Sequence, residues 1–207
     1  MSQPDVIAQA LARNDRYLRE FVEAFTFCPF AQHTRESGHL ARRVLPISDS
    51  SDAAVLATVR ELHSAAQAEI EIALLIFPTL GLSRTEFDRL AAELRTQTAA
   101  LGLNGFFIVA FHPDAPVDAS TPDRLVSLLR RTPDPTLQLV RVATLDRVRG
   151  SQGDTVWIDP TKVDLRSPPP APPPSLSERI AQANFETAQR VGVEALLAVL
   201  QSIRGGH

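Results

Sequence analysis

The chain holds a single cysteine, and its setting, Phe27-Cys28-Pro29-Phe30-Ala31, is the first place to look for chemistry. A thiol beside a proline at the end of a helix is held in one orientation. A cationic neighbour such as Arg35 or His33 would favour its thiolate, the nucleophilic and metal-binding form. The plainer use of such a residue is as a small core side chain. His112, in Phe111-His112-Pro113-Asp114, is the second candidate. It follows an apolar run that reads as a buried strand, and open α/β sheets collect ligands at the carboxyl ends of their strands. An imidazole there can serve as a general base or as a metal or haem ligand. The third feature is the turn Arg130-Arg131-Thr132-Pro133-Asp134-Pro135. A guanidinium fork binds carboxylates and phosphates through paired hydrogen bonds, so Arg131, with Arg141, is placed to hold an acid group or a cofactor propionate. Cys28 and His112 are the catalytic pair to expect in one apolar pocket, with Phe30 and Phe111 in its wall. Two such ligands fall short of the four that structural zinc takes.

These side chains need a scaffold, and hydrophobic spacing outlines one. Ile7, Leu11, Leu18, Phe21, Val22 and Phe25 recur at three, four and seven residues, an apolar stripe on a helix that Pro29 brings to an end. Residues 42–47 read as a short strand, and the Ser/Asp run at 48–52 offers caps for a helix through Val55, Val59 and Leu62. Residues 69–77 read as a second, buried strand. Ser83 and Glu86 form a capping box that opens the next helix, and 106–111 make a third strand. Strands separated by helices predict an α/β fold, with a small, mainly parallel sheet of three or four strands covered by helices. Residues 122–130 read as a helix, and the spacing of Leu137, Val140, Leu145 and Val148 favours a helix over 135–148.

The organisation that follows is a core domain over residues 1–149, an extended linker over 150–175 and a C-terminal helix over 176–207. The linker carries Val156-Trp157-Ile158, a short edge strand by composition, and a run of prolines at 168–174 that acts as a stiff spacer. The last helix has an apolar face that must dock on the core or on a partner subunit, which is the route to a homo-oligomer.

Composition narrows the partners. With 207 residues, 44% of them hydrophobic, the chain can bury a core without disulfides. A net charge of −3 lacks the basic footprint of a nucleic-acid binder. The longest apolar runs fall far short of the roughly 20 residues of a membrane helix. No signal-peptide pattern opens the sequence, so a cytoplasmic protein with a small-molecule ligand is expected. Ten phenylalanines stand against one Trp and one Tyr, and four of them crowd the cysteine, which suits an apolar pocket as well as a core.

Several separated motifs, taken in order, carry a resemblance. Phe-x-Phe-Cys-Pro-Phe-Ala at 25–31, Phe-Pro at 77–78, Phe-His-Pro at 111–113 and Arg-Thr-Pro-x-Pro-x-Leu-x-Leu-x-Arg at 131–141 resemble the bacterial family catalogued as domain of unknown function 1415. The chain departs from that pattern in the short stretch between the last two motifs, and Gln138 stands where the family pattern has a histidine. The resemblance implies haem-dependent oxygenation of a small amine or amino acid in bacterial specialised metabolism. In that expectation a Phe-lined pocket keeps water from the porphyrin, His112 is the axial ligand, Cys28 lines the pocket, and arginines meet the propionates. Cys-Pro-Phe-Ala is also similar to the active-site segment of omega-class glutathione transferases, but a strand precedes the cysteine there and a helix is predicted here. A thiol-dependent transferase or reductase acting through Cys28, and a non-catalytic carrier of haem or another ligand, are the rival readings.

Overall fold

The first apolar stripe folds as a helix, α1 (Gln3–Arg16), in a computed structural model that describes residues 2–47, 52–65, 69–150 and 174–205. Past Arg16 its winding changes. Tyr17–Glu23 forms a π-helical turn, in which the Ala24 N–H donates to the Arg19 carbonyl at 3.1 Å and the Phe27 N–H to that of Val22 at 2.9 Å. Such i→i+5 insertions are rare and recur at functional sites. Thr26 then sits at φ 56°, left-handed backbone that a β-branched residue seldom adopts, and the chain swings into the short α2 (Ala31–Glu36).

Among the described residues four strands form one sheet: β1 (Leu40–Val44), β2 (Ile72–Ile76), β3 (Phe106–Phe111) and β4 (Thr136–Arg141), in the order β1-β2-β4-β3. β1 and β2 are parallel neighbours joined by α3 (Asp52–Ser64). α4 (Arg84–Ala100) connects β2 to β3 and opens on the predicted capping box, with the Ser83 N–H donating to Glu86 Oε2 at 2.8 Å and the Glu86 N–H to Ser83 Oγ at 3.4 Å.

The fold is α/β as expected, with one correction inside it. β1, β2 and β3 all point the same way, yet β4 lies between β2 and β3 and runs antiparallel to both, so only one of the three ladders is parallel. The helix expected over 135–148 is therefore strand β4 followed by α6 (Val142–Gly150). Leu137 and Leu139 are fully buried on one face and Gln138 turns to the other, the period of two that belongs to a strand.

Each sheet face has its own core. α3 and α4 cover one, where Val55, Leu62, Leu75, Phe87, Leu94 and Leu139 pack together. The other lies under α1, its π-helical turn and α5 (Pro122–Leu129), with Phe21, Leu74, Ile76 and Leu125 at its centre. Burying one such side chain contributes roughly 1.5–3 kcal/mol. The helix expected over 176–207 is two, α7 (Leu176–Val191) and α8 (Val193–Gly205), broken at Gly192, whose φ of 89° suits glycine. Ala188, Leu196, Leu200 and Ile203 bury themselves in the second core, so this arm docks on its own chain. The caps expected at 48–51, the short strand at 156–158 and the proline run lie outside the described residues. Among the described residues no helix is long and apolar enough to cross a membrane.

Candidate functional site

The second core is not filled. Beneath the π-helical turn it leaves a hollow of about 210 Å³ with mostly apolar walls. Asn14, Tyr17, Leu18 and Phe21 descend into it from α1 and the π-helical turn, and Phe27 and Cys28 from the turn that follows. Leu74, Gln138 and Phe111 rise from the sheet, and Leu129 at the end of α5 and Arg130 just after it close the hollow. A π insertion rotates the side chains after it, and here it gathers aromatics around one point. The Phe21 ring lies 5.7 Å from Tyr17, 5.1 Å from Phe27 and 6.1 Å from Phe25.

The Cys28 turn is fixed from three sides. Glu23 and Arg35 form a two-pronged ion pair, with Nε and Nη2 donating at 2.7 and 2.8 Å, that ties the π-helical turn to α2. Asn184 of α7, itself buried, donates through Nδ2 to the Phe27 carbonyl at 3.0 Å. The Tyr17 hydroxyl donates to the Leu129 carbonyl at 2.9 Å, joining the π-helical turn to α5. Arg35 was a candidate to activate the thiol, and its commitment to Glu23 corrects that expectation. Burial pushes the Cys28 thiol up, and the backbone N–H groups of Phe30 and Ala31 directed at the sulfur offset this only in part. Phe30 contributes that N–H while its ring stays exposed at 39%, outside the wall it was expected to line. Burial also pushes the Tyr17 hydroxyl up, so the hollow favours uncharged forms of both groups.

A buried polar group in the wall of the hollow is unsatisfied. Asn14 is 2% exposed, and among the described residues its Oδ1 has no hydrogen-bond partner. Leaving such an acceptor dry costs about 1–3 kcal/mol, so a buried orphan calls for an explanation. Thr132 and Thr136, on the same wall, both donate their hydroxyls to the Asp134 carbonyl and ask for nothing further.

His112 is elsewhere. It lines a separate, polar cleft at the carboxyl ends of β2 and β3, with Leu82, Asp134 and Arg204, and is 5% exposed. Its Nε2 lies 3.2 Å from the Leu82 carbonyl and its Nδ1 accepts the Asp114 N–H at 3.1 Å, so both ring nitrogens are engaged. The expected shared pocket of Cys28 and His112 is thus corrected, because β3 delivers Phe111 to the sheet face and the next residue to the sheet end. Arg131 donates to the Ala115 carbonyl instead of facing the hollow. Arg141, 3% exposed, donates to the carbonyls of Ile70, Leu62 and Ala65 at 3.1–3.3 Å and lies 4.4 Å above the Phe106 ring. It closes the end of α3 and holds no acid.

A porphyrin asks for an axial donor with a free lone pair and for cations at its propionates. His112 offers no lone pair, Arg131 and Arg141 are committed to carbonyls, and burial holds Cys28 toward the thiol where ligation needs a thiolate. At about 210 Å³ the hollow is also smaller than the roughly 300 Å³ at which pockets for drug-sized ligands begin. These residues do not fit haem, and His112 does not fit the role of metal ligand. Among the described residues no group of three or more His, Cys, Asp or Glu side chains is arranged to hold a metal ion.

The local motifs point to Cys28 and Phe111 but not to Asn14. A signal was present, since Asn14 stands three residues after Leu11 and four before Leu18, a polar side chain on the apolar stripe. Gln138, noted only as a departure from a pattern, lies in the wall of the hollow.

The family described as "Protein of unknown function (DUF1415)" matches residues 9–162, a span that contains the whole lining of the hollow and excludes α7 and α8. No curated protein and no solved structure matches the chain.

Proposed function

Since the chain belongs to DUF1415, whose description assigns no activity, we propose its function from the site: it binds a small, mostly apolar molecule that carries an N–H or O–H group, in the hollow beside Cys28. One observation carries the reading. The Asn14 carbonyl is buried and, among the described residues, unpartnered in the wall of a mostly apolar cavity, where a ligand's donor would complete it and the aromatic walls would take up the rest of the molecule. A small amine or alcohol has this chemistry. The reading places Cys28 in the wall as a resting thiol. No hydrogen bond, ion pair or charge effect joins the imidazole of His33 or His39 to its sulfur, so a transferase or reductase working through the thiolate has less support than a binding pocket.

Cys28 supplies the test. Alkylation of the native protein by N-ethylmaleimide is expected to be slow near pH 7 and to accelerate above about pH 8.5, the ordinary thiol range, because burial raises the group. The linked stability has a definite sign. The unfolded chain loses this proton first, so the contribution is intact below the ordinary thiol pKa and is lost as pH rises through the raised one. Isoamylamine, phenethylamine and cyclohexanol at millimolar concentration are expected to slow alkylation about tenfold. Labelling that none of them slows would overturn the proposal. A Soret band in the purified protein would replace it with the haem reading.

A further inference from the structure

The polar inventory of the hollow says more about what enters it. Of the polar side chains in its lining, Tyr17, Thr34, Thr132 and Thr136 each donate to a backbone carbonyl. Asn14 Oδ1 is unpartnered, and among the described residues no hydrogen bond is made by the Gln138 amide or by the Arg130 guanidinium. Arg130 is the cation of this wall. Its sequence neighbours are committed, with Arg131 donating to the Ala115 carbonyl and Arg124 paired with Asp118 at 3.0 Å. The carboxylate whose charge reaches Arg130 is Asp88, which is paired with Arg84 at 3.3 Å and forms no ion pair with Arg130. Arg130 is exposed where it lines the hollow, and it has no ion-pair partner among the described residues; partial desolvation depresses its guanidinium below the ordinary value. An anion that enters beside it would supply that partner, and a guanidinium binds a carboxylate by two parallel hydrogen bonds.

Resting on the binding reading above, we propose that the ligand is a small apolar acid bearing an amino or hydroxyl group, with its carboxylate on Arg130 and its donor on Asn14. The apolar side chain that extends from these two groups lies against Phe21, Phe27 and Leu129. A carboxylate and a neighbouring donor taken up together select 2-amino or 2-hydroxy acids over plain amines of the same size.

The experiment measures protection of Cys28 from N-ethylmaleimide in the full chain, for wild type, Arg130→Gln and Arg130→Lys. Leucine, phenylalanine and their 2-hydroxy analogues are compared with isoamylamine and phenethylamine, which lack the carboxylate. In the wild type the acids are expected to protect at concentrations at least tenfold lower than the amines. Arg130→Gln should erase that margin, and Arg130→Lys should keep part of it. Equal protection by acid and amine in the wild type, or a preference for acids that survives Arg130→Gln, overturns the assignment of Arg130 and leaves the binding reading standing. Protection by neither series overturns both. Thermal melting of each variant establishes that a lost margin comes from a folded protein.

Discussion

Replacing Asn14 with leucine is expected to stabilise the protein by about 1–2 kcal/mol and to abolish ligand protection of Cys28. The first effect follows from the orphaned Oδ1, 2% exposed and unpartnered, whose burial costs about 1–3 kcal/mol in the ligand-free protein. Leucine removes that acceptor, is the better helix former at an α1 position, and has about 210 Å³ of hollow to grow into. The second effect follows from the same change, since the variant has no acceptor for the ligand's donor and fills part of its space. A gain in stability with a loss of function is the signature of a residue kept for binding. Urea unfolding and maleimide labelling of one preparation check both halves. A destabilised Asn14→Leu would mark Asn14 as a structural residue with a partner in solution.

Phe21→Ala carries the largest expected cost in stability. Phe21 is fully buried and meets Tyr17, Phe25 and Phe27 at ring separations of 5.1–6.1 Å. Truncating such a side chain costs about 3–5 kcal/mol, part of it from the cavity left behind. Here that cavity joins one already present, so the enlarged hollow should accept ligands about one ring larger. Indole-bearing tryptamine is expected to protect Cys28 poorly in the wild type and well in the variant. Denaturant midpoints and labelling rates measure the two effects. A loss below about 1 kcal/mol would mean that the aromatic cluster rearranges to fill the space, and the hollow would then not be a fixed feature.

The scaffold was legible wherever one period dominated. The stripe from Ile7 to Phe25 marked the first helix, and the Ser83 capping box marked the start of α4. What escaped was decided by tertiary context. Residues 136–141 carry both the three-and-four spacing of a helix and the alternation of a strand. The choice was made by β2 and β3, which offer hydrogen bonds on both sides. The π-helical turn has no signature in composition, because its extra residue is accommodated by packing. The site was half legible for a related reason. Cys28 and Phe111 were identified from their neighbours, whereas the hollow is made by the sheet face and the helices across it, not by the strand ends where His112 stands. Arg130 and Arg131 are adjacent in sequence, and the helix end at Leu129 sends them to different places.

The most direct measurement of the central claim is an experimental electron-density map of protein purified and crystallised with an excess of leucine or its 2-hydroxy analogue. Density for the small molecule is expected between Asn14, Cys28 and Arg130, with a donor within 3.2 Å of Asn14 Oδ1. A hollow closed by the side chains of Phe21, Phe27 and Leu129, with Asn14 Oδ1 bonded to a protein group, would contradict it.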